Sequence, residues 1–508
     1  MSGTSIVILC TIIAYMCVLI GVGFYNGKKN NDSEDFYLGG RKMGPLVVAM
    51  SAEASDMSSW LLMGLPGVAY LTGVADAFWT AAGLAIGTYL NWLIVSRRLR
   101  RYSQHLGAIT VPSFLAKRFH DKKNIITAIA ALMIVVFFVP YVASGFAACG
   151  KLFNSLFGME YMTGVIVFAV IIIVYTIIGG FTSVATNDLI QSIVMSIALI
   201  SITVFGVSKA GGFGAVIDNA KSLEGYFSLT ATHDAANNTA VAYPFLSIIS
   251  TMAWGIGYFG MPHILVRFMS IEDEKKLVLS RRIASIWVTI AMGVAIFIGI
   301  IGLGMTNAGS LEALADPERV IIAISTLLSE NGALAAILAG VILAGILAAT
   351  MSTADSQLLV AASGVSENIV QDFFGKKLTA KQSLLVARGT ILVISIIGVF
   401  LARDPNSSVF GIVSFAWAGF GGAFAAVMIC ALFWKRTTLP AAIAGIVSGG
   451  IVVFVWEYVL SPMGGVWGIY ELLPAFLVSL AVIVVVSLCT KAPSKEIVEE
   501  FEQGVKVK

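Results

Sequence analysis

Charge is what this chain has least of: Asp, Glu, Lys and Arg make up 12% of its 508 residues, about half their share in an ordinary soluble domain. A large soluble helical protein would need many helices apolar on every face, so that class is excluded. Cysteine is scarce as well. The five present, Cys10, Cys17, Cys149, Cys430 and Cys489, lie in or at the ends of apolar runs with no metal or redox spacing. They read as small packing residues with no disulfide framework. The four histidines, His105, His120, His233 and His263, are scattered, and without clustered catalytic groups a membrane enzyme is not expected. No polar stretch is long enough for a soluble catalytic, kinase or sensor output module; the longest runs from about residue 209 to 243. A net charge of +3 carries no sign of a nucleic-acid partner, and no obligatory protein partner is evident.

Apolar side chains are abundant, at 58% of the total. Crossing a bilayer takes roughly 20 helical residues. Hydropathy and turn signals place thirteen such spans near 4–25, 44–70, 77–96, 124–149, 161–180, 189–208, 244–268, 282–306, 332–363, 384–402, 408–434, 438–460 and 466–489. The expectation is an all-α integral membrane protein of about 13 transmembrane helices in contact with membrane lipids. The first run has no basic segment before it and no small-residue cleavage site after it, so it reads as a retained span and not a signal peptide. Sorting the basic residues by side tests the orientation. With the N-terminus outside and the C-terminus inside, the inner loops and tail take 27 of the 32 Lys and Arg residues, Arg267 among them in a 267–282 loop. Lys151, Lys209, Lys221, Arg319 and Arg403 fall on the outer side, and no basic residue is left within a span. The chain divides into one membrane domain over 1–490 and a cytoplasmic tail over 491–508.

Two spans carry the same interruption. The second holds "MGLPG" (Gly64, Pro66, Gly67) and the seventh "WGIGYFGMPH" (Gly255, Gly257, Gly260, Pro262). Gly and Pro often only kink a membrane helix. Here the breaks lie five spans apart and so cross in opposite directions, which points to an inverted-repeat transporter with its site at mid-membrane.

Acids deep in a span cost at least ~2.5–3.5 kcal/mol on insertion scales and call for a partner or a function. Glu53, Asp56 and Asp355 are the deep ones. With no Lys or Arg assigned beside them, each holds a cation, is protonated, or faces water. Na⁺ is a hard ion that takes oxygen ligands, as Ca²⁺ and Mg²⁺ do. Ala54 and Met57 sit just ahead of the first break, where carbonyls can be freed, while Ala349, Ser352 and Thr353 share one face of the ninth span at i, i+3 and i+4. Ordinary hydrogen bonding between helices is the alternative for those hydroxyls. Trp254, Tyr258 and Pro262 recur every four residues on one face of the seventh span, and Tyr141 offers another aromatic with a polar tip. Such a wall suits a small, partly apolar solute, and the free N–H groups at a half-helix start suit its carboxylate.

The stretches "SAEASDMSSWLLMGLPG", "WGIGYFGMPHILVRFM", "AGILAATMSTADSQLLV" and "SFAWAGFGGAFAAVMICALFW" together resemble the solute:sodium symporter family, and within it the branch that carries proline. The resemblance runs from about residue 4 to 495. It implies a leucine-transporter-type fold of two inverted five-helix repeats, over 44–208 and 244–434, flanked by 4–25 and 438–489. It also implies alternating access, with L-proline carried in by Na⁺ as coupling ion. Carried over by motif, the Na⁺ ligands are the carbonyls of Ala54, Met57 and Ala349 and the hydroxyls of Ser352 and Thr353. Asp56 governs Na⁺ dependence. Ser55, Ser58, Gly64, Tyr141, Trp254, Tyr258 and Pro262 shape the solute pocket. Asp188, in "ATNDLIQ", matches an acid that some relatives use for a second Na⁺. Glu53 and Asp355 stand where the best-known member has small residues, and these extra acids could deepen Na⁺ affinity, admit Li⁺ or H⁺, or be protonated. The competing readings are a Na⁺- or H⁺-coupled importer of another small carboxylate-bearing solute, and a sensor or channel on the same fold.

Overall fold

The computed structural model describes residues 3–27 and 33–505. Lys28, Lys29, Lys506 and Lys508, four of the residues sorted to the inner side, lie outside the described residues. In lipid every backbone N–H and C=O must be satisfied within the segment, so these apolar runs fold as helices. Ten helices among the described residues are long and apolar enough to cross a membrane. The two interrupted spans fall outside that count because each is split by its break, and the helix at residues 161–177 is shorter than the rest.

The membrane helices begin with α1 (Gly3–Gly27), α2 (Pro45–Ser59), α3 (Leu65–Thr72), α4 (Val74–Leu90), α5 (Ile125–Phe157), α6 (Tyr161–Gly179) and α7 (Phe181–Lys209). They continue with α8 (Phe245–Met252), α9 (Pro262–Ser270), α10 (Leu277–Asn307), α11 (Ala333–Ser363), α12 (Ala380–Leu401) and α13 (Val409–Phe420). The last are α14 (Ala426–Phe433), α15 (Leu439–Val455) and α16 (Leu472–Cys489), and the tail helix α17 (Lys495–Val505) follows. Helix α11 lies at the centre, packed against α1, α2, α5 and α7. The third span runs on past residue 96 as one helical path to His105. The long polar connection over 209–243 is also structured: it holds a helix over Phe213–Ser222 and a hairpin of β1 (Ala231–Asp234) and β2 (Thr239–Ala242).

Both breaks fall at the interrupted motifs. Ser58 adopts φ 42°, ψ −170°, a region that disfavours a residue with a side chain and is tolerated where the surroundings enforce it. A wide π turn over Trp60–Gly64 follows, and α3 restarts with proline in its first turn, where the missing N–H costs nothing. The second break is a run of tight 3₁₀ turns over Ala253–Phe259, an extended Met261, and α9 opening on Pro262. Glycine is required here by close approach. A Cβ on Gly87 would fall on the carbonyl of Gly255, and one on Gly83 on that of Met252, so α4 lies backbone to backbone against the second break.

Two basic residues correct the charge sorting. Arg267 is not in a loop: it belongs to α9, 1% exposed, and pairs with Asp188. Lys151 is in α5, 1% exposed, and reaches Asp316 at 2.9 Å and Glu318 at 2.7 Å. Each is buried because its acid is supplied by a segment distant in sequence. The tail also differs from a free extension: α17 packs on the helix over Ser96–His105, with Phe501 buried under the Arg118 guanidinium 4.6 Å from its ring.

Candidate ion and solute site

The first break frees oxygens, and α11 meets them. Ser352 Oγ donates to the Ala54 carbonyl at 2.7 Å and also lies 3.1 Å from the Ala349 carbonyl, which accepts from Thr353 Oγ1 at 3.1 Å. Four of the five expected Na⁺ ligands are thus joined in one buried cluster. The fifth, the Met57 carbonyl, sits at the break and accepts the Trp60 N–H. The cluster passes a fit test for a small hard cation: its oxygens are uncharged, they come from two helices, and a hydroxyl between two carbonyls can turn its lone pairs inward. Asp56 places a carboxyl group two residues along the chain from Ala54.

Asp56 also joins the two breaks. Its carboxylate accepts from Tyr258 Oη, and its carbonyl accepts from Tyr141 Oη at 3.3 Å. Trp254 forms the wall expected of it but in larger company, with ring centroids 5.6 Å from Trp60, 5.5 Å from Phe410 and 5.1 Å from Tyr470. Trp417 donates from Nε1 to the Trp254 carbonyl at 2.7 Å and meets the Tyr258 ring edge-on. Trp60, Phe410, Trp417 and Tyr470 were missed by sequence reasoning. Trp417 lies inside a recognised motif, and its apolar neighbours gave no sign of which face it turned inward.

The remaining expected residues divide. Ser58 shapes the break, its Oγ accepting the Trp60 N–H at 3.1 Å, and Pro262 opens α9. Ser55 is buried, and its Oγ donates within its own helix to the Ala52 carbonyl at 3.1 Å. Gly64 lies farther along, in a cavity of about 350 Å³ that it shares with Lys151, Glu318 and Phe410. There Glu318 binds Lys151, Ser408 Oγ and the N–H groups of Val409 and Phe410, each within 3.0 Å, and so pins the start of α13 over the aromatic wall.

Three further acids stand apart. Glu53, 1% exposed, accepts from Trp92 Nε1 at 3.1 Å, and among the described residues nothing bonds its second oxygen. Asp188 and Asp355 are fully buried on α7 and α11. Asp188 accepts from Ser51 Oγ at 2.6 Å and from Arg267 at 3.2 Å, while Asp355 accepts from Ser356 Oγ at 3.4 Å. The sequence reading placed no base near these acids; Arg267 is the base, and the signal for it was an arginine embedded in the apolar run "HILVRFM" one turn past the second break.

Two broken helices in a many-helix membrane protein, with freed carbonyls, hydroxyls and an acid meeting between them, define an ion-coupled membrane transporter. Comparison with known proteins gives the family. The sodium:solute symporter family model matches residues 36–449, and the chain belongs to that family. Sodium/proline symporters from Staphylococcus aureus strains JH9 and NCTC 8325 are each 39% identical over 490 residues, spanning 95% of this chain and 92% of theirs. The fold is shared with a Na⁺-coupled sialic acid symporter at a TM-score of 0.79 and 18% identity, over 96% of this chain and 99% of that one. It is shared more loosely with the nucleobase-cation-symport-1 transporter Mhp1, at a TM-score of 0.55 and 14% identity, over 93% and 99%. The protein is a sodium-coupled symporter and not an enzyme, and it is a multi-pass protein of the plasma membrane.

Proposed function

We propose that the protein couples inward Na⁺ flow to uptake of L-proline by alternating access, using thirteen spans with the N-terminus outside and the C-terminus inside. The observation that carries the reading is the placement of Asp56 between the Ala54–Ser352 oxygen cluster and the tyrosines of the solute wall. The 39% identity to relatives named sodium/proline symporters supports proline as the solute. Repeats over 44–208 and 244–434 put one break in each, and the tail at 491–508 belongs to the inner side.

The coupling follows from the contacts. A Na⁺ among the Ala54, Met57 and Ala349 carbonyls and the Ser352 and Thr353 hydroxyls takes over oxygens that now bond one another, so ion binding draws α2 and α11 into one arrangement. The Asp56 carboxylate is then balanced by the ion beside it and holds Tyr258 through its hydroxyl, fixing the second break. Fixing that break sets the faces of Trp254 and Tyr258 against which an apolar pyrrolidine ring packs. Ser55, Ser58 and Gly64 shape the backbone of the first break, and Pro262 starts the half-helix that faces the solute carboxylate. Glu53, Asp188 and Asp355 are further buried carboxyl groups that a second cation could engage.

Uptake of labelled proline into vesicles, with and without an imposed Na⁺ gradient, tests the reading. Gradient-driven accumulation that Asp56→Ala abolishes is expected; indifference to Na⁺ refutes it. Uptake that unlabelled proline fails to compete would assign the pocket to another small carboxylate-bearing solute. Flux that neither saturates nor follows the gradient would assign it to a channel.

A further inference from the structure

We propose that Arg267 is a positioning residue for the cation site: its guanidinium sets the spacing of α2 and α11, and with it the size of the oxygen cage one turn away, without touching the ion. The inference rests on the Na⁺ reading above.

Arg267 spends four donors on four partners. Nε donates to Ser51 Oγ at 3.1 Å, Nη1 to the His263 carbonyl at 2.8 Å, and Nη2 to Ser356 Oγ at 2.5 Å and Asp188 at 3.2 Å. The His263 bond ties the fork to its own helix, so the other three arms reach α2, α11 and α7 from a fixed base. Ser51 lies three residues before Ala54, and Ser356 lies three and four residues past Thr353 and Ser352. On a helix those offsets share a face about 5 Å apart along the axis. The two serines gripped by Arg267 are therefore the nearest same-face neighbours of the residues that supply the cage. Each hydroxyl is also held on its far side, Ser51 by Asp188 and Ser356 by Asp355, so neither arm is free to swing. A planar fork fixes two hydroxyls relative to one another, which the point charge of a lysine does not. Arg267 further stacks 5.3 Å over the Phe181 ring, which seats its plane. Because α9 begins at the second break, the clasp also makes cage size depend on the position of the segment that carries Trp254 and Tyr258.

The test uses the purified full chain and labelled proline binding as a function of Na⁺, with the Li⁺ to Na⁺ preference as a second readout. Ser51→Ala and Ser356→Ala each remove one arm and leave the Arg267–Asp188 pair in place. Both are expected to raise half-saturating Na⁺ about tenfold, the scale of one hydrogen bond to a charged group, and to change the Li⁺ to Na⁺ ratio. Proline affinity at saturating Na⁺ should stay within about twofold. Arg267→Lys should do the same to a greater extent, and Ser356→Thr, which keeps the hydroxyl, should restore the wild-type value. Half-saturating Na⁺ within about twofold of wild type in both serine variants overturns the proposal, as does a parallel loss of Na⁺ and proline affinity. Should Arg267→Lys fail to fold, the serine variants decide alone. A wild-type protein indifferent to Na⁺ overturns the coupling reading and this inference with it, whereas a Na⁺-dependent wild type with unmoved variants overturns the inference only.

Discussion

Asp56 is the residue on which most depends, because one carboxylate serves two breaks. Its loss removes charge from beside the Na⁺ oxygens and the acceptor for Tyr258. Tyr258→Phe separates those effects, since it deletes only the donor. A hydrogen bond to a charged group is worth about 1.5–3 kcal/mol, so Tyr258→Phe should weaken Na⁺-dependent proline binding by ~10–100-fold while leaving a Na⁺ response that Asp56→Ala lacks. Equilibrium binding across a Na⁺ series checks both. Glu53 accepts its hydrogen bond from Trp92, so Glu53→Gln should alter cation choice or the pH profile of uptake more than solute preference; an unchanged cation and pH profile counts against that assignment. Helical spacing groups Ala349, Ser352 and Thr353 on one face of a helix, whereas their association with Ala54 was legible only through the family resemblance. Arg267, Trp60 and Phe410 were not legible, because their roles arise only where segments hundreds of residues apart meet. The seventh span as read, 244–268, reached Arg267, but the sorting of basic residues by side counted it in the loop that follows.

At the scale of elements, the second break is held from three sides. Gly83 and Gly87 of α4 admit its backbone, Trp417 of α13 caps its carbonyl, and Tyr258 reaches back to α2. The break itself could be read from "WGIGYFGMPH", but the α4 glycines carry no such mark, since small residues are common throughout membrane helices. Substitution there should act on the assembled site: Gly87→Leu drives a side chain into the Gly255 carbonyl and is expected to lower both the melting temperature and proline binding. The start of α13 depends on Glu318 in a similar way. Glu318→Ala leaves Lys151 with Asp316 alone and three donors of residues 408–410 without their acceptor. Breaking a buried pair costs about 3–5 kcal/mol, so thermal stability in detergent should fall sharply, and Glu318→Gln, which keeps the shape and an acceptor oxygen, should recover part of it.

For the whole molecule, the proposed orientation still follows from the bias of Lys and Arg after the buried Arg267 and Lys151 are removed from the count, because the loops assigned to the inner side still hold most of the charge. Asn237 sits at the turn of the outer hairpin and Glu496 on the inner tail helix. With the five native cysteines replaced, an impermeant maleimide should label Asn237→Cys in intact cells and Glu496→Cys only after permeabilisation. The reverse pattern would invert the topology. The fold class was open to sequence reading because the period and length of apolar runs are properties of single segments. The docked tail was not, since its attachment rests on contacts with distant segments, Phe501 under Arg118, Glu500 with His120 and Glu502 with Lys435.

The close packing of the second break also limits how such a protein can diversify. Gly255 abuts α4, Gly257 lies against the Trp417 ring, and Gly260 meets the Phe420 carbonyl, so none of the three has room for a side chain. A duplicated gene acquiring a new nutrient could rewrite this segment mainly at Trp254 and Tyr258. Further variation would have to come from the facing rings of Trp60, Phe410 and Trp417, and a library built to retune the solute would start with those five positions.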